Sequence, residues 1–222
     1  MLRVKSFDEL IQTPFEGGTN AMGWERSLQG DFQELVNKLA SEENIHVVEL
    51  EELRELQLSH AGNMARELIL SDMKRLKDIG ADPSLNIITH YEKDEEFVVF
   101  PTDVYSFHVD RSPIPTSTFL CTYFGATSEI LPNADADQKI QMPEFREALR
   151  QVYDGNPSGF DDFLKEHFFD LHYQPKEGAQ VISLPLGQIW RLAVDHPESA
   201  VLPCLHRAPL EKPGEKRLLL IC

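Results

Sequence analysis

Cysteine is scarce in this chain of 222 residues. The three present, Cys121, Cys204 and Cys222, lie far apart with no CxxC pair among them. A disulfide framework or a cysteine zinc site is thereby excluded, and reduced thiols packed in strands are expected. Long hydrophobic runs are missing too. No segment approaches the roughly 18 apolar residues of a membrane span, and the opening stretch MLRVKSFDELIQTPF lacks an apolar signal-peptide core. A soluble, cytoplasmic protein with no membrane partner is expected. Positive charge is also in short supply, with 21 Lys and Arg against 37 Asp and Glu and a formal net charge of -16. Such a surface repels a phosphate backbone, which argues against nucleic acid. An anionic small molecule can be held only where a local Arg or Lys meets it inside a pocket.

What is present is apolar content, 41% of the residues, enough for one compact unit spanning residues 1–222. Helical spacing marks Phe32, Leu35, Val36 and Leu39, then Leu50 to Leu58, then Leu68, Ile69, Met73, Leu76 and Ile79 up to Gly80, a fitting C-cap. Residues 1–82 therefore read as a mainly helical layer. After Pro83 the pattern becomes short β-rich runs, among them EFVVFPTDVYSFHVD, TSTFLCTYFG, AQVISLPLGQIWRLAV, SAVLPCLH and KRLLLIC, separated by turn clusters such as DRSPIPTS and LEKPGE. A helical insertion is expected at 143–171. The fold class that follows is α+β, an antiparallel barrel or sandwich of jelly-roll type over residues 83–222, carrying that insertion behind the helical layer.

A histidine followed two residues later by a carboxylate occurs three times, at His90/Glu92, His108/Asp110 and His196/Glu198. On a strand, residues i and i+2 share a face, so His108 and Asp110 can converge on one ion while Phe107 and Val109 turn away. His90 runs into the charged turn EKDEE and His196 sits in the loop sequence DHPES, so neither has that context. A third ligand has to come from a neighbouring strand, and His206 ends the apolar run AVLPCLH. Two imidazoles and one carboxylate on one face form the triad suited to non-haem Fe(II). Against this stands the plainer reading, in which each is a surface group or a satisfied core group. Eleven residues after His206, Arg217 opens the last strand, where it can lie beside the histidine.

The order His-x-Asp, distant His, then Arg on the final strand resembles the iron(II)/2-oxoglutarate-dependent oxygenases. HVD followed by TFLCTYFG resembles their prolyl-hydroxylase branch. FHVD…LCTYFG…LHRAP…KRLLL, with MGWERSL and LILSDMKRL upstream, also resembles a bacterial domain family of unknown function over most of the chain. The first resemblance implies a double-stranded β-helix, Fe(II) held by His108, Asp110 and His206, and 2-oxoglutarate as co-substrate. Its distal carboxylate would pair with Arg217, with Tyr123 as a second donor. Two departures stand out: Leu219 occupies a place where many oxygenases have serine, and GATSEIL lacks a second glycine and a tryptophan. The substrate implied is a small molecule or peptide of unspecified kind. Two rival classes share these residues, a cupin-like metal lyase or isomerase and a non-catalytic β-barrel binding module. Trp24, Arg26 and Trp190 are weaker candidates for a pocket lining, with structural packing the stronger reading for each.

Overall fold

The computed structural model describes residues 1–39, 42–95, 98–210, 212 and 214–222. Its first third holds β1 (Leu2–Val4), α1 (Phe7–Gln12), β2 (Ala21–Trp24), α2 (Phe32–Lys38), β3 (Ile45–Val47), α3 (Leu50–Glu55) and α4 (His60–Asp78). The helices begin where side chains can cap free N–H groups: Ser6 accepts from Glu9, Asp31 from Glu34 and Ser59 from Gly62. The chain leaves α4 through Gly80 at φ +85°, a left-handed turn that favours glycine. This region is less purely helical than its periodicity implies. Three strands of three or four residues are threaded through it, too short for an alternating pattern to register.

Beyond it follow β4 (Ser84–Ile88), β5 (Phe107–His108), β6 (Ser117–Phe124), β7 (Glu129–Leu131) and β8 (Ala136–Gln138). Then come α5 (Pro143–Val152), α6 (Phe160–Glu166), β9 (His172–Pro175), β10 (Ile182–Ser183), β11 (Trp190–Ala193), β12 (Leu205–Arg207) and β13 (Arg217–Ile221). These strands form two sheets, a large one ordered β1-β2-β11-β6-β13-β4-β3 and a small one ordered β10-β7-β12-β5-β9-β8. Four antiparallel pairings are nested, β4 with β13, β5 with β12, β6 with β11 and β7 with β10, and successive pairs alternate between the sheets. The insertion expected at 143–171 is present as α5 and α6, flanked by β8 and β9.

The large sheet is buried on both faces. Toward the helices it presents Leu218 and Leu220 of β13, Cys121 and Tyr123 of β6 and Leu85 and Ile87 of β4, packed on Leu35, Ile69, Met73 and Leu76. Toward the small sheet it presents Ile88, Leu120, Trp190, Leu192 and Leu219, which meet Ile130 and Cys204. Each fully buried Leu or Ile contributes about 1.5–3 kcal/mol, so both interfaces are strongly held. The outer face of the small sheet carries Phe107, Val109, Leu131 and Leu205. The insertion has its own cluster around Phe100, Leu149, Phe160 and Phe169. All three cysteines are free thiols, and burial pushes Cys121 and Cys204 up to about 12, so both stay protonated.

Candidate metal centre

The small sheet lays its inward residues in one row. In register across it, His172 of β9 pairs with His108 of β5, His108 with His206 of β12, and His206 with Ile130 of β7. Because side chains alternate, the intervening Phe107, Leu205 and Tyr173 face outward, and all three belong to or pack on the outer cluster. Asp110, two residues past His108, returns to the inner side. One ligand atom from each of His108, Asp110 and His206 lies within 4.8 Å of the others, and among the described residues no other group of three His, Cys, Asp or Glu gathers this way.

Each member of the trio is oriented by a second contact. Nδ1 of His108 lies 2.8 Å from the Ser106 carbonyl oxygen, and Nδ1 of His206 lies 3.2 Å from that of Cys204. A carbonyl only accepts, so each Nδ1 carries a proton, and in the neutral form of either ring that leaves Nε2 as the nitrogen with the lone pair. Asp110 Oδ2 accepts from the Thr118 hydroxyl and stands 3.5 Å from His206 Nε2. Burial, followed by the neighbouring His206, pushes His108 down to about 4, so the ring is neutral at physiological pH as a ligand must be. Two imidazoles, one carboxylate and a half-exposed approach past Asp110 fit a divalent first-row metal with coordination positions left open.

Arg217 is 1% exposed at the start of β13. It shares a face with Leu219, which packs between the sheets, and its Nη2 donates to Ser128 Oγ at 3.1 Å, just before β7. The inward direction expected of Arg217 is therefore found. The expected partnership with Tyr123 is not. Tyr123 lies on the helix side of the large sheet, stacked 5.4 Å from Phe32, with its hydroxyl donating to Asp72 Oδ2 at 2.7 Å. The cause is parity: Phe119, Cys121 and Tyr123 alternate toward the helices, and a register shift opposite Leu218/Leu219 turns Phe124 the same way. The inward residue at that level is Thr122, which faces Leu219 across the ladder. Thr122 is buried, and its Oγ1 has no hydrogen-bond partner among the described residues.

Trp24 and Arg26 are also on the helix side. Arg26 makes a two-armed ion pair with Asp72 of α4, 2.7 Å on one arm, and donates from Nε to the Gly187 carbonyl. Its guanidinium lies over Trp24 at 4.6 Å. MGWERSL and LILSDMKRL thus meet as a clamp between helix and sheet. Trp190 is fully buried between the sheets, its ring so close to Gly23 that a Cβ there would stand 2.6 Å from it. Elsewhere, His90 lies beside Thr89 in a surface groove with Glu92 and Tyr105, and His196 accepts from the Glu198 N–H in its turn.

Two residues absent from the sequence reading extend the row. His172 is 3% exposed, its ring 5.7 Å from that of His108, and its Nδ1 has no hydrogen-bond partner among the described residues. Lys139, 9% exposed, follows directly after β8 and donates to Ser106 Oγ at 2.9 Å. For neither residue does the local sequence, DLHYQP or QKIQM, name a partner. Comparison of the chain with protein-family models, with curated proteins and with solved structures gave no match.

Proposed function

We propose that this chain is an Fe(II)- and 2-oxoglutarate-dependent oxygenase of hydroxylase type, built on a double-stranded β-helix. The nested pairing supports the fold reading: a single antiparallel ribbon wound so that its strand pairs fall alternately on two facing sheets produces this order. The observation that carries the activity is the trio His108, Asp110 and His206 on one inner face, with the buried Arg217 arriving from the facing sheet on the next strand.

In this reading His108, His206 and Asp110 hold Fe(II), and Arg217 receives the distal carboxylate of 2-oxoglutarate, with Thr122 beside it as a small hydroxyl donor. When bound, iron and co-substrate couple decarboxylation of 2-oxoglutarate to oxidation of a substrate C–H bond by dioxygen. The chain's own part is orientation and exclusion of water. The carbonyls of Ser106 and Cys204 fix both imidazole tautomers, the Thr118 hydroxyl holds Asp110, and the apolar walls Ile88, Leu120, Leu192 and Leu219 keep the space between the sheets dry. The substrate is a small molecule or peptide. No helix of the described residues is long and apolar enough to cross a membrane.

The test is anaerobic titration with Fe(II), with and without 2-oxoglutarate. A weak visible charge-transfer band that appears only when both are present supports the oxygenase. Tight Fe(II) binding without that band favours a cupin-like metal lyase, and no metal binding favours a binding module.

A further inference from the structure

We infer that the far end of the histidine row, Lys139 with His172, binds a carboxylate group of the substrate, an assignment that rests on the oxygenase activity proposed for the metal site. Gln138, the last residue of β8, pairs with Tyr173, whose ring packs on the outer cluster. The next residues in both directions, Lys139 and His172, therefore turn to the inner side, level with His108.

A lysine in this position needs an explanation. Its Nζ has Ser106 Oγ at 2.9 Å and the Phe100 ring at 4.6 Å, and among the described residues no carboxylate forms an ion pair with it. The carboxylate whose field reaches it, Asp103, is engaged by the backbone N–H groups of Asp94 and Tyr105 at 3.1 and 3.0 Å. A buried ammonium without a counter-ion is costly, and an anion placed against it removes that cost. Beside it, the His172 ring carries a buried nitrogen with no hydrogen-bond partner among the described residues, a few ångströms from a metal ligand.

The donor set selects the class of anion. One ammonium and one neutral imidazole N–H match the two oxygens of a carboxylate, leaving no net charge. A phosphate dianion would need another cation, and the nearby Arg111 is already committed to Asp170 and Asp195. Arg217 lies toward β7, on the other side of His108 and His206 from β8 and β9. The two buried cations thus flank the candidate metal, one assigned to the co-substrate and one to the substrate.

The test uses the full chain loaded with Zn(II) as a redox-silent metal and saturated with 2-oxoglutarate, with trifluoroacetate as the probe, read by fluorine NMR. Trifluoroacetate should bind and trifluoroethanol should not. Lys139→Met, or Lys139→Gln as a second variant, should weaken the probe at least tenfold and change Zn(II) and 2-oxoglutarate affinity less than twofold. Removing an uncompensated charge should also raise the melting temperature of Lys139→Met. Unchanged probe binding in both variants, or a lowered melting temperature that makes Lys139 a brace for Ser106, overturns the inference. Loss of 2-oxoglutarate binding on Lys139→Met overturns it as well, since Lys139 would then anchor the co-substrate. If 2-oxoglutarate fails to bind the parent protein while trifluoroacetate binding still depends on Lys139, the oxygenase reading falls and the carboxylate site stands.

Discussion

The two faces of the large sheet both bury charge, and they do so in opposite ways. On the helix side Arg26, Asp72 and Tyr123 close on one another: both carboxylate oxygens of Asp72 accept hydrogen bonds, and burial pushes the Tyr123 phenol well above its usual value, so it remains a donor. Across the space between the sheets, Lys139, His172 and Thr122 each retain a polar atom with little or no partner among the described residues. Satisfied networks hold a fold together, whereas incomplete ones are stable only where surrounding packing maintains them and a ligand can complete them. The same sheet is therefore a structural joint on one side and a candidate reaction space on the other.

Breaking the helix-side joint should have the largest effect. Asp72→Ala leaves the Arg26 guanidinium buried without its counter-charge, a loss of about 3–5 kcal/mol of folding stability measurable by urea denaturation. Metal affinity of the fraction that remains folded should be unchanged. On the inner face the corresponding change is Arg217→Ala, which should weaken 2-oxoglutarate by about 2–5 kcal/mol in the charge-transfer titration while leaving Fe(II) affinity nearly intact. An equal loss of both ligands would mean that Arg217 supports the metal site and not the co-substrate.

The faces should also separate by pH. In the metal-free protein His108 is pushed down to about 4 and His172 to about 3, in each case first by burial. Unfolded histidine titrates near 6.5, so between those values the unfolded chain binds more protons than the folded one and stability rises with pH. Acidifying from pH 7 toward 4 should cost about 3 kcal/mol through His108 alone, most of it below pH 6.5. His172→Gln should make the urea midpoint less dependent on pH over that range. A pH-independent midpoint would mean that neither ring is held neutral by the fold.

Smaller effects sharpen the same contrast. Tyr123→Phe removes one hydrogen bond to a charged group, about 1.5–3 kcal/mol of stability, and should leave 2-oxoglutarate binding unaltered. A marked fall in 2-oxoglutarate affinity would return Tyr123 to the site. His196→Ala, which removes only the acceptor in an exposed turn, should alter neither stability nor metal affinity beyond experimental error.

Much of the site was legible because its chemistry is local. His-x-Asp on a strand sets two donors on one face whatever the strand pairs with, and the lengths of apolar run before His206 and after Arg217 assigned both to strands. Less local features were hidden. Lys139 and His172 come from either side of the helical insertion and meet through the β8–β9 pairing, so neither announces the other. The short strands β1, β2 and β3 join the large sheet at its edges only through tertiary pairing.

Residue parity was available from the sequence, but the direction of each parity class was not. In a strand with one wet face, the polar residues mark the outside. β6 reads STFLCTYF because one face meets the helices and the other meets the small sheet, and burial on both sides removes the alternation that would distinguish them. That Tyr123 and Phe119 point the same way follows from a period of two. That this way is toward Asp72, with Thr118 left to hold Asp110 and Thr122 left facing Leu219, was settled only when helices and sheets packed together, because parity relates residues within a strand and packing alone assigns the two faces to their layers.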